Sequence, residues 1–430
     1  MFILLLSPHF PHSKLLKRDS MSTFAFGTYR ISDSNLQHIE ALKEAIRSGV
    51  KIIDTSSNYM DGGAERAIAI SLNEFDEDVQ EEIEIISKYG YIQGLLLQEY
   101  LQDPSIIKNS HEIVKYSQEC YHSISRSFMH EQLTLSLKRL ERNRLECYLI
   151  HNPEYYLLDA INRGVSKDER LDGMYARLQE AFVGLEEEVK AGRINSYGIS
   201  SNSFALKESD DEFLPYEDLL TLAQNAAIMV GNSKHSFTTI ELPINILERD
   251  GLKCAAWAKN NGLRVLANRP LNAKYNNKMY RLADYEESRE YYHHFNELLE
   301  YCDNEELRAL YNLIEQLDAS MHKFDWIGSY DIFLYTQIVP HIRKTLEQMD
   351  MQESQEMVNF LDMYLLEYKK MVAYECSKKT RAELQDFFKE CFVSMQECAI
   401  RFLMQAQNVD VILVGMRKPS YVHQILSLGE

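Results

Sequence analysis

Lys51-Ile52-Ile53-Asp54-Thr55-Ser56-Ser57-Asn58-Tyr59-Met60-Asp61-Gly62-Gly63-Ala64-Glu65 reads as a buried strand running into a polar loop and then a helix. Ile52 and Ile53 supply the apolar run, Asp54 falls where the strand leaves the core, and Tyr59 lies five residues further on. A carboxylate at a strand end and a phenol on the next loop are poor packing choices, because each carries a polar tip that needs a partner. They make sense as chemistry.

The neighbouring sequence extends the pattern. Phe24 to Arg30 reads as a first strand. Ser32 or Asp33 can cap the next helix, where Leu36, Ile39, Leu42, Ala45 and Ile46 recur at helical spacing until Gly49 closes it. Gly62-Gly63 turns into a short helix, Ala64 to Leu72, and strand three is Ile83 to Ser87, followed by Lys88-Tyr89-Gly90-Tyr91. Residues 92–126 carry no clear period. Leu133, Leu137 and Leu140 mark a helix feeding strand four, Cys147 to Ile150, which ends in His151-Asn152-Pro153. A helix over Met174 to Lys190 precedes strand five, Ser196 to Ile199, with Ser200-Ser201-Asn202 after it. Phe237 to Leu242, Arg264 to Ala267 and Val409 to Val414 supply strands six to eight.

Strands alternating with helices call for a parallel sheet. Eight such units predict an α/β (β/α)8 TIM barrel, whose functional groups collect at the carboxyl ends of the strands. Asp54, Lys88, His151 and Ser200-Ser201-Asn202 all fall there. An open doubly wound sheet would want a Gly-x-Gly-x-x-Gly turn after the first strand, and none follows Phe24 to Arg30.

Residues 271–408, between strands seven and eight, are too many for a structureless loop. Three stripes at helical spacing run through them: Leu307, Leu310, Ile314 and Leu317; Val358, Leu361, Leu365, Tyr368 and Val372; Phe388, Cys391, Met395, Cys398 and Phe402. They predict a large helical insertion, residues 274–395, inside a barrel of residues 21–430, with the last helix entering strand eight. The insertion is the expected surface for self-association.

The chain has 430 residues, enough for a full core and more than one domain, with 45% hydrophobic and 26% charged residues, ordinary for a soluble globular protein. Its formal charge of −19, from 65 acidic against 46 basic residues, argues against general nucleic-acid or anionic-membrane binding but leaves room for a local phosphate pocket. The seven cysteines are scattered and lack a Cys-x-x-Cys pair, so free thiols in a reducing, cytoplasmic setting are expected rather than a disulfide framework or a zinc site. Phe2 to Leu6 is too short to span a membrane and no basic region precedes it. Residues 1–20 read as a disordered leader or an early start, with Met21 the alternative.

The motifs Ile53-Asp54-Thr55-Ser56 with Tyr59, Ile86-Ser87-Lys88, and Leu149-Ile150-His151-Asn152-Pro153 resemble those of the aldo-keto reductase family. The resemblance covers about residues 24–270 and 396–425 and includes Ala267 to Ala273 after strand seven. It implies that Asp54, Tyr59, Lys88 and His151 form a catalytic tetrad that reduces an aldehyde or ketone with NADPH, or oxidises the corresponding alcohol or sugar. The chemistry suits these types. A hydride reaching a carbonyl carbon leaves charge on the oxygen, which a phenol can protonate. Tyrosine, with a reference pKa of about 10, is a weak donor unless a neighbouring ammonium lowers it. Lys88 is that ammonium, Asp54 holds it charged, and His151 orients the carbonyl.

The resemblance also implies cofactor contacts at Gly27, Thr28 and Tyr29 beneath the nicotinamide, and at Ser200, Ser201 and Asn202 on its carboxamide. Gly415, Met416, Arg417, Lys418 and Tyr421 follow strand eight, where barrels often bind phosphate. Arg417 and Lys418 can pair with a 2′-phosphate, which favours NADPH over NADH, with NAD(H) the alternative nucleotide. Two positions depart from the family pattern: Asn268 stands where many members place an aromatic that stacks on nicotinamide, and Thr239 near the usual glutamine. These departures motivate an alternative reading, a nicotinamide-binding barrel serving as a sensor or regulatory subunit. A third reading is an isomerase or lyase using Lys88 and Asp54 without nicotinamide.

Overall fold

In a computed structural model, residues 23–107, 112–347 and 351–429 are described; the leader lies outside them. The chain divides into two compact units, one of residues 271–400 and one built from the segments on either side.

The second unit is a closed barrel. Its strands are β1 (Thr23–Gly27), β2 (Ile52–Asp54), β3 (Glu84–Tyr89), β4 (Cys147–His151), β5 (Tyr197–Ser200), β6 (Phe237–Pro243), β7 (Arg264–Asn268) and β8 (Val411–Val414). They pair in sequence order, and β8 closes on β1 with Phe24 beside Ile412 and Phe26 beside Val414. All these pairings are parallel. Helices α1 (Leu36–Arg47), α2 (Gly63–Leu72), α3 (Arg126–Leu140), α4 (Lys167–Lys190), α5 (Leu219–Val230) and α6 (Gly251–Asn260) follow β1 to β6 in turn. Helix α7 (Met395–Gln405) leads into β8, and α8 (Pro419–Leu426) follows it. The sequence-based fold is therefore the observed one. The cap of α1 differs: Asn35, rather than Ser32 or Asp33, accepts from the amides of Gln37 and His38.

The period of a strand sets the site. Ala25, Ile52, Ile86, Leu149, Leu266 and Leu413 join one buried cluster from six strands. Successive side chains alternate faces, so the residues two positions on share that interior face one layer higher. Those residues include Asp54 above Ile52, Lys88 above Ile86 and His151 above Leu149.

Residues 92–126, which showed no period, hold a helix, Gly94–Gln102, and a three-stranded antiparallel sheet of two-residue strands. The short strands Tyr91–Ile92 and Tyr121–His122 pair, bringing His122 opposite Tyr91.

The unit of residues 271–400 opens on a β-hairpin, Asn272–Tyr275 with Lys278–Arg281, where only helix was expected. Its turn, Asn276-Asn277, has φ of 48° and 61° at the two positions, the left-handed geometry of a tight hairpin turn. Helices Tyr291–Tyr301, Arg308–Ser320 and Met351–Glu383 follow, with shorter ones between. Their core is rich in tyrosine: Tyr291, Tyr330, Tyr364 and Tyr368 are fully buried among Leu310, Ile314, Leu361 and Val372. Tyr368 donates to the Leu317 carbonyl at 2.6 Å and Tyr291 to Asp318 at 2.6 Å. The third predicted stripe is not one helix. The chain leaves helix after Phe388 and resumes at Met395, and Cys391 and Cys398 are joined in a disulfide across that break. Those two thiols are thus paired, contrary to expectation, while Cys120, Cys147, Cys254, Cys302 and Cys376 are free and buried.

We propose that residues 271–400 fold as a packing unit of their own. Leu361, 3% exposed, sits inside that core. Leu361→Ala should cost about 2–5 kcal/mol in urea unfolding, and an unchanged midpoint would show that the core does not depend on this packing.

Candidate active site

The interior face of the barrel carries an ion cluster at its carboxyl end. Lys88, on β3, has no exposed surface. Its Nζ donates to Asp54 Oδ1 on β2, to the Thr55 carbonyl at 3.1 Å, and lies 3.3 Å from Glu241 Oε2 on β6. Both carboxylates are buried, and Asn268 Nδ2 on β7 donates to Glu241 Oε1 at 2.9 Å. Three strands thus meet on one ammonium, and a fourth, β7, holds one of its carboxylates. The Lys88 ammonium also lies 5.6 Å from the centre of the Tyr59 ring.

Tyr59 is held at the mouth by rings and by backbone. Its ring lies 5.3 Å from that of Tyr29 and 5.9 Å from that of His151, edge-on in both cases. Tyr59 N donates to the Ser56 carbonyl, and Ser57 N to the Lys88 carbonyl, tying the loop across to β3. The three residues after Tyr59 are left-handed, with φ of 51°, 52° and 78° at Met60, Asp61 and Gly62. A run of this kind costs energy for non-glycine residues and persists only where its surroundings enforce it. Asp61 is fixed by accepting the Leu95 amide at 3.1 Å, and its carbonyl accepts from Arg66.

His151 ends β4 and is buried. Ser56 Oγ lies 3.1 Å from its Nδ1 and 2.7 Å from Asn58 Oδ1. When the serine proton goes to Nδ1, the ring carries its own proton on Nε2. Behind it, His122 Nε2 donates to the His151 carbonyl at 2.7 Å, and Tyr91 packs edge-on between the two imidazoles. Gly90 makes this approach possible. Its φ is +146°, and a Cβ there would stand 2.5 Å from His122 Nε2 and 2.8 Å from the His151 carbonyl.

The charges follow from burial and company. Burial opposes the Lys88 ammonium, but Asp54, Glu241 and Tyr59 outweigh it and hold its pKa above the ordinary lysine range. Burial pushes the Asp54 carboxyl above the usual carboxylate range; Lys88 pulls it back and Glu241 pushes it further up. Burial, followed by Lys88 and His122, keeps His151 well below its ordinary value and so neutral. Tyr59 departs from the sequence-based expectation. Burial raises its pKa, Lys88 lowers it, and Asp54, Glu241 and Tyr29 raise it again, leaving the phenol above its ordinary value. The ammonium lowers it, as expected, but burial and the carboxylates outweigh it.

The second group of expected residues is partly at the same rim. Thr28 is buried, and its N–H and hydroxyl both donate to the Asp54 carbonyl, while Tyr29 is exposed. Ser200 ends β5. Ser201 Oγ and Asn202 N donate to the two oxygens of Glu154, at 2.8 and 2.9 Å, and Asn202 Nδ2 donates to Asn152 Oδ1. The Ser201 hydroxyl is thus committed within the protein. Gly415, Arg417, Lys418 and Tyr421 are exposed after β8, and Met416 is buried. Gly27 and Gly415 bring their backbones together: a Cβ on Gly415 would meet only the Gly27 carbonyl, at 3.8 Å. Glu241, Ser56, His122 and Glu154 were not foreseen. Glu241 left a signal, an ionisable residue in the apolar run Ile240-Glu241-Leu242, two positions after Thr239.

A model of the aldo/keto reductase family matches residues 23–430. The chain belongs to the aldo-keto reductase family. Among solved aldo-keto reductases, it is similar to one from Bacillus halodurans in its holo form, with 13% identity, a TM-score of 0.48, and coverage of 95% of this chain and 87% of the other. A glycerol dehydrogenase from Gluconobacter oxydans gives 14% identity, a TM-score of 0.48, and coverage of 97% and 89%. An aldo/keto reductase from Klebsiella pneumoniae, crystallised with NADP and acetate, gives 20% identity, a TM-score of 0.36, and coverage of 58% and 64%. The curated proteins give no match. No helix among the described residues is long and apolar enough to cross a membrane.

The cluster makes a stability prediction for this aldo-keto reductase. Lys88→Met strands two buried carboxylates, and breaking a buried pair in this way costs about 3–5 kcal/mol. Asp54, already raised by burial, loses the ammonium that pulled it back and rises further, so its contribution to stability is present below the unfolded carboxylate pKa and is lost as pH rises. The variant's deficit should be larger at pH 8 than at pH 5 in denaturant titrations. An equal deficit at both would contradict the assignment.

Proposed function

We propose that this aldo-keto reductase is an NADPH-dependent oxidoreductase that reduces an aldehyde or ketone, or oxidises the corresponding alcohol or sugar, with Tyr59 as general acid. The observation that carries the reading is the convergence of Asp54, Lys88, Tyr59 and His151 at one end of the barrel, with the ammonium buried beneath the phenol. A small-molecule carbonyl or alcohol is the expected partner.

The residues fit a nicotinamide nucleotide. Asn268 Oδ1 is buried without a hydrogen-bond partner, an acceptor that a carboxamide N–H would satisfy. Asn202 and Ser200 lie at the β5 end of the same rim, with the loop fixed by Glu154. Gly415 leaves the main chain open beside Gly27, and α8 begins right after Arg417 and Lys418. A helix start with cations beside it is a phosphate-binding arrangement. Gly27, Thr28 and Tyr29 would underlie the ring, and Met416, being buried, would offer only main chain. When bound, the reduced nicotinamide supplies the hydride.

The protein's own part is proton placement and electrostatics. The Tyr59 phenol is kept protonated by burial and by the net charge beneath it, so it is present as a donor throughout the neutral range. As charge grows on the substrate oxygen, the phenol proton crosses to it and the phenolate formed is stabilised by Lys88. The ammonium acts mainly on this charged state, as differential stabilisation requires. Neutral His151, in the tautomer that carries its proton on Nε2, directs that N–H at the same oxygen and polarises the carbonyl, with Ser56 Oγ beside Nδ1.

The test uses the purified chain with a panel of aldehydes and ketones, following NADPH absorbance. Turnover with at least one carbonyl is expected. Nucleotide binding without turnover on any would favour a sensor or regulatory role, and failure to bind any dinucleotide would favour chemistry without nicotinamide. Arg417→Ala should weaken NADPH by about 1.5–3 kcal/mol, the worth of a charge-assisted contact, and leave NADH nearly unchanged. Equal losses for both nucleotides would remove Arg417 from the 2′-phosphate site.

A further inference from the structure

Lys88 has two carboxylate neighbours where one would neutralise it. Asp54 approaches from β2, and Glu241 from β6, 3.3 Å from the ammonium and 2% exposed. A buried carboxylate that duplicates a counter-ion carries a desolvation cost and needs a reason. Glu241 is also held in place. One oxygen accepts from Asn268 Nδ2 at 2.9 Å, and the other has no partner besides the Lys88 charge.

We propose that Glu241 is a positioning residue that acts through Lys88: it is the ammonium's second counter-ion and sets the pH window of the Asp54–Lys88–Tyr59 cluster. The catalytic use of that window rests on the reductase reading above; the electrostatic assignment does not.

The charged and titratable groups facing Lys88 are Asp54 on β2, Tyr59 on the loop after it, His151 on β4 and Glu241 on β6, with Tyr29 beyond Tyr59. His151 is neutral, so the ionised cluster has one positive and two negative charges. Taking up one proton at Asp54, the carboxyl that burial and Glu241 push up, brings it to neutrality. Glu241 therefore has three effects. It makes Asp54 harder to ionise, makes the phenolate of Tyr59 harder to form, and keeps Lys88 charged. If Asp54 carries the proton, Glu241 still pairs with the ammonium, so Lys88 keeps its charge and place in either protonation state. Asn268 fits this arrangement. At the position where an aromatic was expected, its amide fixes the second carboxylate.

The experiment compares the full chain with Glu241→Gln and Asn268→Ala. The glutamine keeps the shape and removes the charge; the alanine loosens Glu241 and keeps it. The first readout needs no turnover: the melting temperature between pH 5 and pH 8. Asp54 has a raised folded-state pKa, so its contribution to stability is full below the unfolded carboxylate pKa and is lost as pH rises. Glu241→Gln removes one cause of that rise. Its melting temperature should therefore fall less across this range than that of the parent, while Asn268→Ala keeps the parental slope. The second readout is the pH profile of kcat in the active enzyme. Both limbs should move to lower pH in Glu241→Gln, by about one unit or less for a neighbouring charge, and neither should move in Asn268→Ala, whatever its loss of rate. Parallel melting profiles in parent and Glu241→Gln overturn the proposal, as do unmoved limbs in an active Glu241→Gln enzyme. A parent that turns over no carbonyl overturns the reductase reading alone, because the melting profiles still decide the role of Glu241.

Discussion

One ammonium offsets two carboxylates in the interior of this barrel, and the arrangement around it follows from that constraint. Lys88 has no exposed surface, so its charge is tolerable only with close anionic partners. Asp54 supplies one from the neighbouring strand β2, and Glu241 the other from β6, which does not border β3. The carboxylates in turn are tolerable only while the ammonium stays. This mutual dependence fixes three side chains from three strands without a rigid covalent link, and it leaves excess negative charge beneath the Tyr59 phenol. Burial first, and those carboxylates after it, make the phenol hard to ionise at rest. That suits a proton donor whose anion is stabilised only when a proton acceptor is present.

The barrel supplies the position of every charge. A strand shows one face to the interior at every second residue. Asp54, Lys88 and His151 thus each stand one layer above an apolar residue of the same strand. The loops add precision. The left-handed turn Met60-Asp61-Gly62 returns the chain directly after Tyr59, and Gly90 allows His122 to reach the carbonyl of His151. At the far side of the rim, Glu154 orders Ser201 and Asn202 through both of its oxygens.

Most of this frame was legible because it rests on local signals. Runs of Ile and Leu end in polar residues at Asp54, Ser87-Lys88 and His151, and such runs mark buried parallel strands. What was not legible depends on sums or on distance. Glu241 sits in a strand whose reading turned on Thr239, and only closure of the barrel brings it to Lys88. The sign of the Tyr59 shift depends on burial and on Glu241 as well as on Lys88 and Asp54, and burial and Glu241 were not displayed by the motifs. The stripe from Phe388 to Phe402 has helical spacing, but the chain breaks between Phe388 and Met395, where Cys391 turns back to Cys398. The hairpin at Asn276-Asn277 did carry a readable turn signal, masked by the helical stripes beyond it.

The central claim is that the Tyr59 hydroxyl donates a proton in the rate-determining chemistry of this site. Tyr59→Phe removes that hydroxyl and keeps the ring that packs on Tyr29 and His151. The measurement is kcat for carbonyl reduction beside the dissociation constant for NADPH, in the parent and in this variant. General acid catalysis is worth about 10²–10⁴-fold, so kcat should fall by that order while nucleotide affinity is nearly unchanged. Reduction of carbonyls by Tyr59→Phe at the parental rate would contradict the account.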